Sequence, residues 1–302
     1  MIPFDEFMHE ALYGPSGFYA TGRGAGRHRD FITSPEIGPL FGAVFANALD
    51  AWWDELGRPD PFVVIEAGAG PGALQRAIAL AAPECATALR YAEVEFADDW
   101  PDDGAVGDVG VIIANELLDN LVFKILERSN GHWHELLVHE GQFVLGDPVD
   151  GFGHVDAPDG SRIPWHTAAA DWLARAKSTF GRGHIALVDY GTATTQELVG
   201  RQWLRTFEEH GRGFDPLRKA GAQDITTDIG FDQLRPDRLT TQADWLRAHG
   251  IGALVDQARE TWRERAGIGD LTALKARSRV NEADALLDPD GPGAFLVAEW
   301  VP

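Results

Sequence analysis

The stretch Glu66-Ala67-Gly68-Ala69-Gly70-Pro71-Gly72 carries the sharpest chemical signal in the sequence. Glycine lets a backbone turn with positive φ and approach a ligand closely. Between a strand end and a helix start, such a loop offers N–H groups and the positive end of a helix dipole. Gly68, Gly70 and Ala73 also fit the dinucleotide spacing G-x-G-x-x-[G/A]. A tight turn gives the same spacing. Glu66 separates the ligand readings, because a carboxylate two places before the first glycine is badly placed beside a pyrophosphate. It suits a cation such as the ammonium of an amino-acid moiety, which S-adenosylmethionine carries without any phosphate. At the end of the next strand, Glu95 or Glu93 can accept hydrogen bonds from ribose hydroxyls, a feature shared with NAD sites. Glu95, last in the strand, is the favoured member. A solvated strand end is the plain alternative.

A second group follows a third strand. Glu116 and Asp119 are three apart, on one face of a helical turn beyond a strand end, with Asn115 beside them as an amide acceptor. Strand ends of this kind line the ligand crevice of open α/β sheets. Paired carboxylates suit a guanidinium, which arrives as a cation because its pKa exceeds ~12 and must lose a proton when it is alkylated. The plain alternative has Asp119 capping a turn and Glu116 facing solvent. Arg23, Arg27 and Arg29 read as a solvated Gly-rich loop or as a lid over a ligand carboxylate. His132 and His134 alternate around Trp133, as on a half-exposed strand; with His139 they lack any accompanying Cys or carboxylate motif, so no metal is expected. Asp189 ends a buried strand, structural or substrate-facing. No G-x-S-x-G nucleophile elbow is present.

The elements that must position these groups follow from periodicity. Residues 3–13 read as a short helix, with residues 14–31 as a loop. Ser34 is the expected N-cap and Pro35 the first residue of an amphipathic helix of about five turns, with Ile37, Leu40, Phe41, Val44, Phe45, Ala48, Leu49 and Trp52 on one face. Phe62–Ile65 is a continuous apolar run ending at the glycine loop, followed by a helix to about residue 82, which reads as a buried parallel strand, a tight loop and a helix. Further strands are expected at 89–95, 109–114 and 184–189, with a helix at 165–180. Strands alternating with helices predict an α/β fold with a mainly parallel sheet and helices on both faces. Two hairpins, 121–128 with 133–146 and 201–207 with 224–231, read as insertions. The tail 239–287 reads as mostly helical and 294–300 as a last strand. The expected division is an N-terminal helical or lid segment, 1–57, and a core, 58–302, whose insertions at about 121–180 and 200–290 form the substrate side.

Composition bounds the rest. The 302 residues suit two domains or one enlarged α/β domain. With 26 basic and 47 acidic residues the net charge is −21, which repels phosphate backbones and excludes nucleic acid as an expected partner. Cationic ligands and Arg-bearing protein partners are attracted. Cys85 is the one cysteine, so no disulfide forms within the chain. Met1 to Tyr13 has neither the basic nor the apolar region of a signal peptide, and no run of ~18 apolar residues occurs. A cytoplasmic location is expected.

Several stretches together resemble the MidA-like S-adenosylmethionine-dependent methyltransferases, the family of the mitochondrial complex I assembly methyltransferase. They are Phe7-Met8 with Ala11-Leu12-Tyr13 and Gly17-Phe18-Tyr19, Asp30-Phe31-Ile32-Thr33-Ser34-Pro35-Glu36-Ile37, and Ala114-Asn115-Glu116-Leu117-Leu118-Asp119. Asp189-Tyr190-Gly191, Gln223-Asp224-Ile225-Thr226 and Leu287-Asp288-Pro289 follow in family order. The resemblance runs nearly end to end. It implies a class I, Rossmann-like methyltransferase fold with S-adenosyl-L-methionine bound by Glu66, Gly68, Gly70, Gly72 and Glu95. It also implies that the loop and helix carrying Thr33, Ser34 and Glu36 lie over the cofactor. The favoured acceptor is a protein arginine held by Glu116, Asp119 and Asn115; a respiratory-complex subunit is a candidate acceptor, and a homo-oligomer is allowed. Two departures stand out. Ala69 and Pro71 occupy places where the family usually has Pro and Arg, and Pro71 has no N–H to donate. The stretch after Glu95 is shorter than the family's. A small-molecule N- or O-methyltransferase and a non-catalytic assembly factor with a degenerate cofactor fold are the alternative readings.

Overall fold

The computed structural model describes residues 1–20, 33–95, 100, 107–208 and 211–302. The Arg23, Arg27 and Arg29 cluster, the Asp30–Ile32 part of the family stretch and most of the link after Glu95 lie outside these residues. The chain divides into two compact units. One gathers Phe31–Glu116, Ala176–Val188 and Asp237–Pro302; the other gathers Met1–Asp30, Leu117–Arg175 and Asp189–Pro236.

The first unit is built on a sheet of six strands, β1 (Phe62–Ala67), β2 (Leu89–Val94), β3 (Val109–Asn115), β4 (Arg182–Asp189), β5 (Arg238–Thr241) and β6 (Leu296–Trp300), in the order β5-β6-β4-β3-β1-β2. β2, β1, β3 and β4 are mutually parallel. Every residue of β1 is buried. A strand covered on both faces needs apolar side chains at every position, which is what the run Phe62–Ile65 supplies. The structure thus has the Rossmann-like α/β architecture expected from the sequence, with helices on both sides of the sheet. The helices are α1 (Pro39–Glu55), α2 (Ala73–Ala81), α3 (Gln242–Ala248), α4 (Ile251–Arg265) and α5 (Leu271–Leu286). Phe41, Phe45 and Trp52 of α1 pack in one core with Val64, Val111, Val188, Trp245 and Leu286.

Two expectations need correction here. The five-turn helix from Ser34 is broken into a single turn, Ser34–Ile37, and α1. Pro39 cannot donate to the preceding turn, and it drives the residue before it out of the helical region; Gly38 accordingly lies extended at φ 166°, ψ 179°. The N-cap is Thr33 rather than Ser34, with a capping box closed by Glu36. The C-terminal tail opens with a strand, β5, antiparallel to β6, before its helices begin. Thr240 and Thr241 are β-branched, and the Thr241 hydroxyl then accepts from the Asp244 N–H at 3.1 Å, so one residue ends the strand and caps α3.

The second unit is mainly antiparallel. Lys124–Ser129 pairs with His132–His139 on one side and Arg162–Trp165 on the other. Gln142–Pro148 and the short Ile2–Pro3 both pair with His132–His139. The helix Phe4–Tyr13 lays Phe4, Met8, Ala11 and Leu12 on Phe123, Ile125, Leu136 and Val138. Leu204–Glu208 pairs with Gly211–Gly213 and with Asp224–Thr227. Both expected hairpins are present, each enlarged by additional strands.

Candidate functional site

Glu66 sits one residue before the end of β1 and is 4% exposed. In the parallel register it lies opposite Glu93 of β2. Tyr91, two residues earlier in β2 and on the same face, donates its hydroxyl to Glu66 Oε2 at 2.7 Å, and the Gln75 N–H in the first turn of α2 donates to the same carboxylate. Burial raises the Glu66 carboxyl to about 7; Glu93 and Glu95 add to the rise and the two hydrogen bonds oppose it. The loop that follows has Gly68, Gly70 and Gly72 at φ +67°, +55° and +70°, the left-handed region that glycine enters freely. A Cβ at Gly70 would meet no described residue within 4 Å. A Cβ at Gly72 would fall 2.5 Å from Glu93 Oε1, which sets that carboxylate against the loop. Arg76 of α2 folds back and donates to the Pro71 carbonyl. Glu95, directly after β2, is exposed.

Asn115 ends β3, and Glu116 follows with φ +52°, a conformation few side-chain-bearing residues adopt. The Glu116 N–H still donates to Val188 O, 2.8 Å away, so the sheet's own hydrogen bonding holds the residue in that conformation. Asn115 Nδ2 donates to Glu116 Oε1 at 3.0 Å, while Asn115 Oδ1 is buried with no hydrogen-bond partner among the described residues. The Ser34 N–H donates to the Glu116 carboxylate. Burial raises the Glu116 carboxyl to about 7, and Glu36 pushes the same way. The structure therefore brings the Thr33–Glu36 turn and the Asn115-Glu116 strand end together, although about 80 residues separate them in sequence. Ser34 is buried, its hydroxyl donating to Gln242 Oε1 of α3 at 3.0 Å, which ties the turn to the unit's core.

Asp119 is placed in the other unit. It is 4% exposed, accepts from the Tyr190 hydroxyl, and takes a second bond from Asn120 Nδ2 at 3.1 Å. Asp189, fully buried, accepts from the N–H groups of Leu118, Asp119 and Tyr190, so it fixes that turn. Tyr19 donates to Asn120 Oδ1 and to Asp224 Oδ1, and burial raises the Asp224 carboxyl to about 6. Tyr91, Gln75 and Arg76 escaped the sequence reading. For Tyr91 the signal was available: it alternates with Glu93 and Glu95 along one strand face. The arginine and glutamine are reached only once α2 is placed against the loop.

A buried strand-end carboxylate, a left-handed glycine loop and a buried amide oxygen with no partner among the described residues thus lie on the α/β unit. Comparison with known proteins makes the class specific. Residues 85–251 match the family described as "Putative S-adenosyl-L-methionine-dependent methyltransferase", and the chain belongs to it. It is similar to the protein arginine methyltransferase NDUFAF7 homolog, mitochondrial, of Drosophila melanogaster, 42% identical over 297 residues that span 78% of this chain and 66% of that protein. The mitochondrial NDUFAF7 protein arginine methyltransferase of Danio rerio is 37% identical over 291 residues, covering 78% of this chain and 68% of that one. The chain thus spans about two thirds of the length of these relatives. A solved structure from Burkholderia thailandensis bound to S-adenosyl-homocysteine shares the fold at TM-score 0.77 and 23% identity, over 100% of this chain and 88% of that one. The relatives are named as mitochondrial proteins, which overturns the cytoplasmic location expected from the sequence.

Proposed function

We propose that this chain transfers a methyl group from S-adenosylmethionine to an arginine guanidinium of a protein acceptor. The family supplies the cofactor class, and the relatives named as protein arginine methyltransferases support the acceptor. The observation that carries the reading is Glu116: a half-buried carboxylate with a carboxyl pKa of about 7, held by Asn115 and the Ser34 N–H at a strand end.

In this reading Glu66 faces the cofactor's ammonium, the Gly68–Gly72 loop lets the backbone come close to it, and Glu95 accepts from the ribose. Asn115 Oδ1, buried and unpartnered, is an acceptor waiting for a donor from one of the two ligands. The cofactor, when bound, supplies an electrophilic methyl on a sulfonium. Glu116 orients the guanidinium and takes the proton it loses as the new C–N bond forms; a carboxyl near neutrality suits that transfer. A respiratory-complex subunit is the candidate acceptor offered by the family resemblance.

The test is Glu116→Gln, which removes charge with little change of shape. Methyl transfer to an arginine peptide should fall between tenfold and over a hundredfold, because a hydrogen bond to a charged group is worth about 1.5–3 kcal/mol and each 1.36 kcal/mol is tenfold in rate. Cofactor affinity measured by calorimetry should stay within about twofold, a difference of only ~0.4 kcal/mol. A variant that methylates arginine at the normal rate refutes the role of Glu116. One that loses the cofactor instead assigns Glu116 to the cofactor pocket.

A further inference from the structure

The antiparallel unit holds a cavity of about 720 Å³ that contains none of the residues placed in the candidate site. Phe143, Trp203 and Phe214 form aromatic walls. Trp203 is 5% exposed and donates its indole N–H to the Arg162 carbonyl at 3.0 Å, so that wall is fixed. Phe214, by contrast, is 51% exposed. The Arg162 guanidinium lies 4.9 Å from the Phe143 ring centroid, and Arg201 stands exposed at the edge. A smaller cavity of about 210 Å³ shares Phe214 and Asp215 with the first and adds Arg212 and Arg218. The Arg212 guanidinium lies 5.3 Å from the Phe214 ring centroid.

The acidic groups along this groove are already engaged within the protein. Asp159 accepts from the N–H groups of Asn130 and Gly131, Asp215 from the N–H of Leu217, and Glu208 from Lys219 Nζ. Arg162 is itself engaged, its Nε donating to Glu127 Oε2 at 2.8 Å, so the charge argument falls to Arg201, Arg212 and Arg218, which line an aromatic groove on a chain whose net charge is −21. A surface of that sign repels acidic partners at a distance, so a local concentration of guanidinium groups marks where one can be accepted. Guanidinium forks match carboxylates bidentately, and aromatic walls bury an apolar side chain between such contacts.

We propose that this groove docks an acidic peptide segment, its carboxylates on Arg201, Arg212 and Arg218 and an apolar side chain among Phe143, Trp203 and Phe214. Such a site recruits a partner through residues other than the one methylated. The proposal rests on the groove alone, and its test needs no methyl transfer.

The probes are two fluorescein-labelled peptides, Glu-Phe-Glu-Glu-Phe-Glu and Lys-Phe-Lys-Lys-Phe-Lys, titrated with the full chain and followed by fluorescence anisotropy. The acidic peptide should bind at least tenfold more tightly than the basic one. Arg201→Glu and Arg218→Glu, both at exposed positions, should each weaken it at least fivefold, while Arg259→Glu on α4, in the other unit and outside both cavities, leaves it unchanged. Circular dichroism confirms that each variant is folded. Equal affinity for the two peptides overturns the proposal, as does undiminished binding of the acidic peptide by both groove variants or equal weakening by Arg259→Glu.

Discussion

At neutral pH the Glu66 carboxyl is close to half protonated, since burial and the nearby Glu93 and Glu95 raise it to about 7. A cationic ligand needs the ionised form, so cofactor affinity should rise with pH through about 7 and level off above it. Tyr91 donates to Glu66 and favours ionisation, so Tyr91→Phe should move that midpoint upward and weaken binding severalfold at pH 7 but little at pH 9. Calorimetric titrations at a series of pH values check both statements. The same shift has a stability consequence of opposite sense. The folded carboxyl at about 7 holds a proton that the unfolded chain, near 4.5, has released. Between those values the folded state binds more protons, so this group's contribution to stability falls as pH rises from about 4.5 to 7, by ~3 kcal/mol at most. Glu66→Gln should flatten that part of the thermal stability profile of the ligand-free protein, and an unchanged slope counts against the buried, partly protonated carboxylate.

Among elements, the glycine loop and the Ser34 turn give separable tests. Gly70→Val places a side chain where no described residue lies within 4 Å, at φ +55°, which costs roughly 1–2 kcal/mol of stability for a left-handed residue. The variant should fold and lose cofactor binding by well over tenfold; a folded Gly70→Val with wild-type affinity removes the loop from the site. Ser34→Ala leaves the buried Gln242 Oε1 without its donor, costing ~1–3 kcal/mol. It also loosens the turn that holds Glu116. We expect kcat to fall more than cofactor affinity, with a lowered melting temperature; an equal loss in both would place the turn over the cofactor alone.

The elements that proved legible in the sequence are those where one physical signal dominates. β1 was readable because burial on both faces demands an unbroken apolar run, and the glycines because no other residue takes three left-handed positions so readily. The break at Gly38-Pro39 was hidden by the apolar spacing that continues across it, although the proline itself was a sufficient warning. β5 was missed because Arg238-Leu239-Thr240-Thr241 is short and half-exposed, with its reason lying in β6 more than fifty residues on. Within the site, residue types were legible but partnerships were not: the bond from Ser34 to Glu116 and the commitment of Asp119 to Tyr190 depend on where the chain returns, which no local spacing records.

For the whole molecule, the order of the sheet carries a further consequence. β6 lies inside the sheet, between β4 and β5, with Val297, Ala298 and Trp300 buried. A variant cut before Leu296 should lose cooperative melting altogether rather than lose a few degrees, and a sharp transition near the wild-type temperature would show that the strand is dispensable. Seen as a process in time, this arrangement makes the sheet's completion wait for a strand that emerges more than a hundred residues after β4. While a ribosome is still working, the segments carrying Glu66 and Glu116 have already emerged, yet the edge of β4 stays open until Trp300 is free to move. During that interval the nascent chain presents an unpaired apolar strand, which is where a chaperone would find it and where aggregation would begin.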